Sequence, residues 1–348
     1  MKLQAFLKTQ LNKQDQGAFG GVVISSRVRV ARNIAAKPFP WRANPQMLNA
    51  IWASSSGYLQ KLEHFTSGMT FFLPDIDPID RMLLVERHLI SHNHMSSDVP
   101  RGVVFDCGER LSVMVNEEDH MRIACITPGF DMVTAADAVN VLDNRISQEF
   151  NYAFSDKYGF LTTCPSNVGT GMRVSVLVHV PGLVMTEEIA PILAELAKLG
   201  ITIRGFYGEG TKVIGDIFQI SNSATLGRSE PEILQGIEYI VNGIISYENE
   251  ARKKLMSGTA KNATEDKIYR SSALLAGARK IDFQEAMFHI SKVMLGAELG
   301  LEIKWKKEIM AELMVITQPA HLQELMGSEL NAEERDLVRA RVIRQKLN

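Results

Sequence analysis

The sequence predicts an α+β fold, in which an antiparallel sheet flanked by helices is followed by a small all-α region. Two observations carry this prediction. Between residues 103 and 126, apolar strand-like runs are separated by short polar breaks, a spacing typical of an antiparallel meander. After about residue 257, apolar residues recur only at helical spacing. We therefore predict an α+β domain at 1–256 and a helical domain at 257–348.

The elements follow in chain order from these two periodicities. For residues 1–21 we predict a short helix followed by a flexible glycine-rich segment that leads into the first strand. Strands are predicted at 22–33, 103–108, 111–116, 121–129, before 181, at 201–207 and at 213–220. Helices are predicted at 45–66, 79–90, 131–153, 187–199, 231–255, 263–278, 282–297, 305–316 and 331–346. The last helix is expected to stack Leu337, Ala340, Ile343 and Leu347 on one side and arginines on the other.

Composition limits the classes of function. Of the 348 residues, 45% are hydrophobic and 22% are charged, as in an ordinary soluble protein. The net charge of −2 gives no overall attraction to nucleic acid or an anionic membrane, so neither is expected as a partner. An anion site must then be built from locally clustered arginines.

The cysteines and the N-terminus indicate the compartment. Cys107, Cys125 and Cys164 fit neither a disulfide framework nor a zinc spacing, and buried inert thiols are the favoured interpretation for the first two. No signal peptide and no run of membrane-spanning length stand out. A reduced, cytoplasmic protein is expected.

The acidic segment at 116–122, N-E-E-D-H-M-R, organises the chain because it lies between two strand-like runs. Three adjacent acids are unusual there, since like charges repel and strands disfavour Asp and Glu. Taken alone, the segment is best interpreted as a solvated turn. A chemical role becomes credible only together with the arginines elsewhere in the chain.

Five arginines occur at strand edges beside glycine or acidic motifs. Arg27 and Arg29 are expected on one strand face, because side chains two residues apart on a strand point the same way. The others are Arg122, Arg173 and Arg204. Such a set could hold the phosphates of a nucleotide, since phosphoryl transfer needs positioning and positive charge more than covalent chemistry. The chain has neither a G-x-x-x-x-G-K-[ST] loop nor the protein-kinase motifs.

Two further groups leave alternatives open. The segment before and within one predicted strand brings Cys164, Asn167, Gly169, Gly171 and Arg173 close together. The histidines His88, His92 and His94 could suggest a metal site, but their spacing suits one helix face only in part. A loop or a substrate contact is the favoured interpretation for them.

Four motifs in order resemble those of the phosphagen kinases. They are S-S-R-V-R at 25–29, N-E-E-D-H-M-R at 116–122, C-P-S-N-V-G-T-G-M-R at 164–173 and R-G-F-Y-G-E at 204–209. The sequence is most similar to the bacterial, McsB-type branch, which shares A-R-N, P-F-P and V-E-R-H-L-I-S. The resemblance implies the phosphagen kinase catalytic fold, which is glutamine-synthetase-like, and ATP-dependent phosphorylation of arginine residues in proteins.

The resemblance also implies residue roles. The five arginines would bind the ATP phosphates. Glu118 would be the carboxylate facing the substrate guanidinium, Glu209 its partner on the Gly205–Gly210 loop, and Cys164 a neighbour of the guanidinium. Carboxylates suit this task because guanidinium nitrogens are protonated and poor nucleophiles. Mg²⁺ is expected with ATP, held mainly by phosphates and water, with no protein cage of its own.

The chain departs from the phosphagen kinases at both ends. In that family the S-S-R motif lies behind a helical N-terminal domain that helps select a small substrate, whereas here it begins at Ser25. An open site that admits an arginine on a protein is therefore expected. The added C-terminal region would bind phosphoarginine and regulate the enzyme, with Arg335 and Asp336 as candidates. The alternative for this E-E-R-D segment is an ordinary solvated helix face.

Family membership implies partners and leaves two other functions open. The implied partners are protein substrates with exposed arginines, an activating zinc-binding adaptor of the McsA type, a Clp-type unfoldase that degrades marked proteins, and further copies in a homo-oligomer. One alternative function is a kinase for a small free guanidino compound. Another is a non-catalytic adaptor that binds phosphoarginine.

Overall fold

The computed structural model describes residues 21–95, 99–205 and 213–348. The N-terminal helix predicted before residue 21 lies outside these residues, as does most of the Gly205–Gly210 loop. The strands are β1 Val23–Arg32, β2 Met69–Phe72, β3 Gly102–Phe105, β4 Leu111–Val115, β5 Met121–Pro128, β6 Phe154–Ser155, β7 Gly159–Phe160, β8 Met172–His179, β9 Ile201–Arg204 and β10 Ile217–Asn222.

Helices pack around these strands and make up all of the elements after residue 257. They are α1 Pro45–Leu59, α2 Pro78–Glu86, α3 His92–Met95, α4 Met132–Ser147, α5 Pro181–Met185, α6 Ile189–Lys198, α7 Glu230–Leu255, α8 Ala260–Gly277, α9 Phe283–Glu298, α10 Lys307–Ile316, α11 Pro319–Met326 and α12 Ala332–Leu347. No helix among the described residues is both long and apolar enough to cross a membrane.

Eight strands form one sheet in the order β2-β3-β4-β5-β1-β8-β10-β9. Every neighbouring pair in it is antiparallel, so the predicted α+β arrangement is confirmed. Strand β1 lies near the centre, paired with β5 on one side and β8 on the other. β6 and β7 form a separate hairpin.

One face of the sheet is apolar because valines and isoleucines occupy alternate positions of the central strands. Val28 and Val30 on β1 are fully buried there against the helical layer formed mainly by α4 and α7. Helix α7 supplies Ile237 and Val241 to this contact. Burial of each such side chain contributes about 1.5–3 kcal/mol, so this layer fixes the twist and register of the strands.

The opposite face is apolar only at its ends. At the β2–β4 end, Phe71, Phe105 and Met114 pack on α2. At the lower end of β8 and β10, Leu177 and Ile217 pack on the C-terminal helices. Between these two clusters lies a strip of sheet that carries polar side chains.

Several predicted elements differ in extent. Helix α2 ends at Glu86 rather than at 90 because His88 takes a left-handed conformation, with φ of 59°, that a helix cannot continue. The helix predicted at 131–153 ends at Ser147. Strand β2, the β6–β7 hairpin and α11 were not predicted, since each is short and shows too few apolar repeats.

The predicted faces of the last helix are partly wrong. Leu337 is 44% exposed, whereas Arg339 is only 2% exposed. Arg339 donates from Nε to the Thr317 carbonyl at 2.8 Å and from Nη1 to the Ile281 carbonyl at 3.0 Å. A buried arginine is tolerated here because carbonyl and carboxylate oxygens satisfy its donors, which a polarity pattern cannot reveal.

Candidate active site

All five predicted arginines project from the same face of the sheet. Residues directly opposite in an antiparallel pair share a face. Arg29 on β1 lies opposite Arg173 on β8, and Arg122 on β5 lies opposite Ala31, two residues beyond Arg29. Further along the sheet, Arg204 on β9 lies opposite Gln219, which lies opposite Leu177. The register thus places Arg27, Arg29, Arg122, Arg173 and Arg204 on the polar strip.

The strip concentrates positive charge in a half-buried setting, with Arg122 itself buried. Burial lowers the pKa of Arg29 well below its usual value, and the neighbouring charges of Arg122, Arg27 and Arg173 lower it further. Burial also lowers the pKa of Arg27 to about 10, with Arg122 adding to the shift. Like charges held this closely repel one another, so the arrangement favours an anion that neutralises them.

The acidic segment forms the turn between β4 and β5, but it is not the solvated turn that its composition suggested. Asn116 adopts φ of 59°, and its Nδ2 donates to the carbonyls of Leu48 and Pro100 at 2.8 and 2.9 Å. Glu117 and Asp119 are 6% and 0% exposed. Only Glu118 of the three acids faces solvent, with its side chain 41% exposed.

Two of the acids form ion pairs with Arg122. Its Nη1 lies 2.6 Å from Glu117 Oε2, and its Nη2 donates to Glu118 Oε2 at 2.8 Å. Burial alone would lower the pKa of Arg122, but the charges of Glu117, Glu118 and Asp119 raise it above its usual value. Its guanidinium therefore remains charged and fixed in orientation.

The two glutamates differ in basicity. Burial would raise the pKa of Glu117, but Arg122, His94, the Ser91 hydroxyl and the Glu118 amide together lower it to about 2. Burial raises the pKa of Glu118, and the charges of Glu117 and Asp119 add to this, despite Arg122. Glu118 is thus the more basic of the two, as a proton acceptor requires.

The third acid, Asp119, was not singled out from the sequence. Its Oδ1 accepts from Asn33 Nδ2 at 2.6 Å and from the Thr163 amide at 2.7 Å. It therefore ties the acidic turn to the segment that leads to Cys164. The available signal in the sequence was the run of three adjacent acids, which does not tell which of them is buried.

Cys164 begins a short 3₁₀ turn after this tie. Its side chain is partly exposed, and Sγ lies 3.0 Å from Ser166 Oγ. Cys125 is buried, as predicted, and burial raises its pKa to about 11. Cys107 is exposed, so the same interpretation is wrong for it, because it lies in the turn between β3 and β4.

The glycines of G-T-G hold two backbone segments together. Gly169, with φ of 113°, lies where an added Cβ would meet the Thr225 carbonyl oxygen at 2.7 Å. Gly171, with φ of 67°, would meet the Ala31 carbonyl oxygen at the same distance. Only glycine permits both the positive φ and the close approach of the two backbones. Arg173 follows Gly171 by two residues, so its position on β8 depends on this contact.

The remaining predicted residues are less closely joined to this group. Arg173 Nη2 donates to Ser221 Oγ at 2.9 Å, which anchors its guanidinium to β10. Arg204 shares the face but lies two strands from Arg173. Glu209 lies outside the described residues.

The histidine cluster does not form a metal site. Within residues 21–95, 99–205 and 213–348, no group of three or more His, Cys, Asp or Glu side chains is placed to hold a metal ion. His94 is buried, and its Nε2 lies 2.9 Å from the Gly102 carbonyl. Burial, the charge of Arg27 and then that of His92 together lower the pKa of His88 to about 4, so His88 lies beside the arginine strip.

Arg335 and Asp336 lie on α12, away from the strip. Arg335 Nη1 donates to the Leu330 carbonyl at 2.8 Å, and Asp336 Oδ1 accepts from Arg339 Nη1 at 2.6 Å. The segment is therefore only partly a solvated face, since Arg339 anchors it to the helices beneath.

Two family models match the chain. The model of the ATP:guanido phosphotransferase C-terminal catalytic domain matches residues 52–251, and that of the protein-arginine kinase McsB C-terminal domain matches residues 261–348. The solved lombricine kinase aligns with a TM-score of 0.58 and 26% identity, over 69% of this chain and 70% of that one. The duplicated taurocyamine kinase of Schistosoma mansoni, with bound transition state analog components, aligns with a TM-score of 0.61 and 30% identity over 69% of this chain and 35% of that one.

The fold and the charged strip thus define a kinase with the phosphagen kinase catalytic fold. Curated relatives narrow the class. A protein-arginine kinase of Geobacillus sp. (strain WCH70) is 40% identical across 100% of this chain and 97% of the relative. The protein-arginine kinase of Bacillus subtilis (strain 168) is 38% identical across 100% of this chain and 96% of the relative. The chain belongs to the ATP:guanido phosphotransferase family, in the branch of the protein-arginine kinases.

Proposed function

We propose that this chain transfers the γ-phosphoryl group of ATP to the guanidinium of arginine residues in proteins. One observation carries the proposal. Arg29 and Arg173 are cross-strand neighbours, and next to them Arg122 is hydrogen-bonded to the Glu118 carboxylate. The first pair supplies two neighbouring positive charges for an anion. The second places a basic carboxylate at the edge of that charge, where a guanidinium can dock.

The five arginines bind the triphosphate in this proposal. Guanidinium groups suit the task because their planar fork holds two phosphate oxygens at once and stays charged. The mutual repulsion within the strip is relieved when the phosphates enter, so binding strengthens with each charge that is neutralised. Preformed positive charge at the transferred group also stabilises the transition state.

Glu118 acts as the general base. It orients one guanidinium nitrogen of the substrate in line with the γ-phosphorus and accepts its proton. The N–P bond forms as the bond from phosphorus to the β,γ-bridging oxygen breaks, and ADP leaves with the electron pair. Glu209 holds the guanidinium from another side, and Cys164 lies next to it.

Magnesium ion would be bound together with the nucleotide and would supply charge neutralisation at the phosphates. The carboxylates nearest the strip, Glu117 and Glu118, are both paired with Arg122. Such a site fits an ion held chiefly by phosphate oxygens and water.

The C-terminal unit, residues 257–348, serves regulation, and residues 1–256 serve catalysis. Arg335 and Asp336 bind phosphoarginine, the reaction product, on α12. In this proposal the protein acts in the cytoplasm as a homo-oligomer within protein quality control, with a zinc-binding adaptor as activator and a Clp-type unfoldase that degrades the marked proteins.

A protein substrate is favoured over a free guanidino compound by the relatives. Relatives that match the whole chain at 38–40% identity are named protein-arginine kinases, whereas the lombricine kinase aligns with 69% of it at 26% identity. A non-catalytic adaptor is disfavoured because the curated relatives that match the whole chain are named kinases, and because Arg122 orients the exposed Glu118 carboxylate at 2.8 Å.

The test compares acceptors. The chain is incubated with MgATP and either an unfolded arginine-rich protein or free arginine, and N-phosphate is followed by mass spectrometry under conditions that preserve acid-labile P–N bonds. We expect phosphoarginine in the protein at a rate well above that on free arginine. Faster turnover of free arginine would favour a small-substrate kinase, and no transfer to either acceptor would favour the adaptor.

A further inference from the structure

A buried carboxylate on α2 is held by the C-terminal helices. Glu86, the last residue of α2, is 4% exposed. Its oxygens accept from the amides of Ala320 and His321 at 2.7 and 3.0 Å, at the N-terminus of α11, and His321 Nδ1 donates to Oε2 at 2.7 Å. A carboxylate in this position is stabilised by charge-assisted hydrogen bonds and the helix dipole.

The chain leads from Glu86 directly to the site. The segment after α2 stays bonded to it, since the Leu89 amide donates to the Leu84 carbonyl at 2.9 Å. His88, inside this segment, has φ of 59° and lies beside Arg27. The position of the end of α2 therefore sets the position of Ser91, five residues further on.

Ser91 in turn holds the acidic turn. Its hydroxyl donates to Glu117 Oε1 at 2.6 Å, while Glu117 Oε2 accepts the Glu118 amide at 2.8 Å and pairs with Arg122. Arg122 then binds the Glu118 carboxylate. An unbroken series of contacts thus runs from α11 to the base of the proposed reaction.

We propose that Glu86 is a positioning residue through which the C-terminal helices fix the orientation of Glu118 and Arg122. The proposal rests on the proposed function for its catalytic consequence. The mechanical part, that Glu86 orders residues 87–91 and through Ser91 the acidic turn, is independent of any activity. Transfer geometry is sensitive to displacements of about 1 Å, so even a small shift of Ser91 alters the rate.

The protein offers a matched control. Arg252 on α7 and Glu298 on α9 form a half-buried ion pair between the two regions, with Nη1 and Oε2 2.7 Å apart. It lies on the helical layer rather than on the polar strip. Glu298→Gln therefore removes a comparable charge from the same junction without touching the series that starts at Glu86.

The first experiment measures hydrogen–deuterium exchange of the full chain. We expect Glu86→Gln to accelerate exchange in residues 87–95 and 116–122 by about 10-fold or more, and Glu298→Gln to leave both segments unchanged. Should Glu86→Gln not fold, His321→Leu removes one of the three bonds and is expected to act in the same direction more weakly. Unchanged exchange in 116–122 would overturn the proposal.

The second experiment is a double-mutant cycle on the rate of transfer to an unfolded protein. We expect Glu86→Gln and Ser91→Ala each to lower kcat by about 10-fold, and the double variant to be no slower than the slower single variant. Ser91→Thr, which keeps the hydroxyl, restores the rate. The positioning role would be overturned if the losses of kcat in the two single variants multiplied in the double variant. It would also be overturned if Glu298→Gln lowered kcat as much as Glu86→Gln does. If the parent chain transfers nothing, the proposed function fails, and hydrogen exchange still decides the mechanical part.

Discussion

Arg29 and Arg173 lie directly opposite each other on β1 and β8, with both guanidinium groups on the same face of the sheet. Like charges in a cross-strand pair destabilise a sheet. Under the proposed function, the pair lowers the stability of the unliganded protein and raises its affinity for an anion.

Replacing Arg173 by Met should separate these two effects. We expect the variant to melt about 1–2 °C higher without nucleotide, because one repulsion is gone. Its Kd for MgATP should rise about 10- to 100-fold, since a charge-assisted contact is lost. Thermal melts with and without nucleotide measure both, and Arg270→Met, an exposed control, should change neither. A lower Tm without nucleotide would contradict the prediction.

Glu118→Gln should abolish transfer while leaving nucleotide binding nearly intact. The loss is expected to reach about 100-fold or more, because the amide cannot accept the guanidinium proton. Phosphoarginine formation and a nucleotide-induced melting shift report the two properties separately. The exposed Glu250→Gln serves as the comparison. Full activity in Glu118→Gln would remove this residue from the role of base.

The pKa of Glu117 predicts how stability depends on pH. It lies near 2 in the folded protein, below its ordinary value of 4.5, chiefly because Arg122 outweighs burial. The carboxylate therefore stabilises the fold above pH 4.5, and this contribution is lost as the pH falls toward 2. We expect Glu117→Gln to lower the free energy of unfolding at pH 7 by about 3 kcal/mol. Urea denaturation from pH 7 to pH 3 should show parent and variant converging; parallel curves would argue against it.

Gly171→Ala should be more harmful than Gly129→Ala, although the two glycines have nearly the same backbone conformation. Their φ angles are 67° and 64°, so alanine costs each site about 1 kcal/mol. At Gly171 the new Cβ would also meet the Ala31 carbonyl at 2.7 Å, whereas Gly129 has open space. We expect a total loss of about 2–4 kcal/mol and weaker nucleotide binding at 171 alone. Equal losses in urea denaturation would show that the close approach is unimportant.

Arg335→Ala should weaken the binding of phosphoarginine by about 10-fold, because one charge-assisted contact to the phosphate is removed. Arg341 lies on the same helix and is exposed, so Arg341→Ala provides the matched control. Titration with free phosphoarginine, monitored by calorimetry, measures the difference. Loss of ATP binding by Arg335→Ala would place this residue in the catalytic unit instead.

Sequence periodicity predicted the parts of the molecule that depend on local pattern. The shared face of Arg27 and Arg29 follows from the two-residue repeat of a strand, and β1, α7 and α9 lie close to their predicted positions. The four motifs predicted the family. The opposition of Arg29 and Arg173 could not be predicted, because it depends on the register between strands more than 140 residues apart.

The errors in predicting which side chains face solvent came mainly from polar groups that are buried in the structure. Glu117, Asp119 and Arg339 are all charged, and their composition suggested solvent. Each is buried because specific donors or acceptors compensate it, and one of them comes from another segment: Ser91 for Glu117, Asn33 for Asp119 and Thr317 for Arg339. Leu337 shows the converse, since an apolar side chain can remain exposed on a helix whose buried face is shifted by one position.

The placement of four arginines on β5, β1 and β8 has a mechanical consequence. Each of these strands has hydrogen-bonded neighbours on both sides, and interior strands are among the last parts of a fold to loosen. Under the proposed function, the nucleotide meets a rigid set of positive charges on these interior strands. A compound that mimics the triphosphate would then bind to the same rigid set.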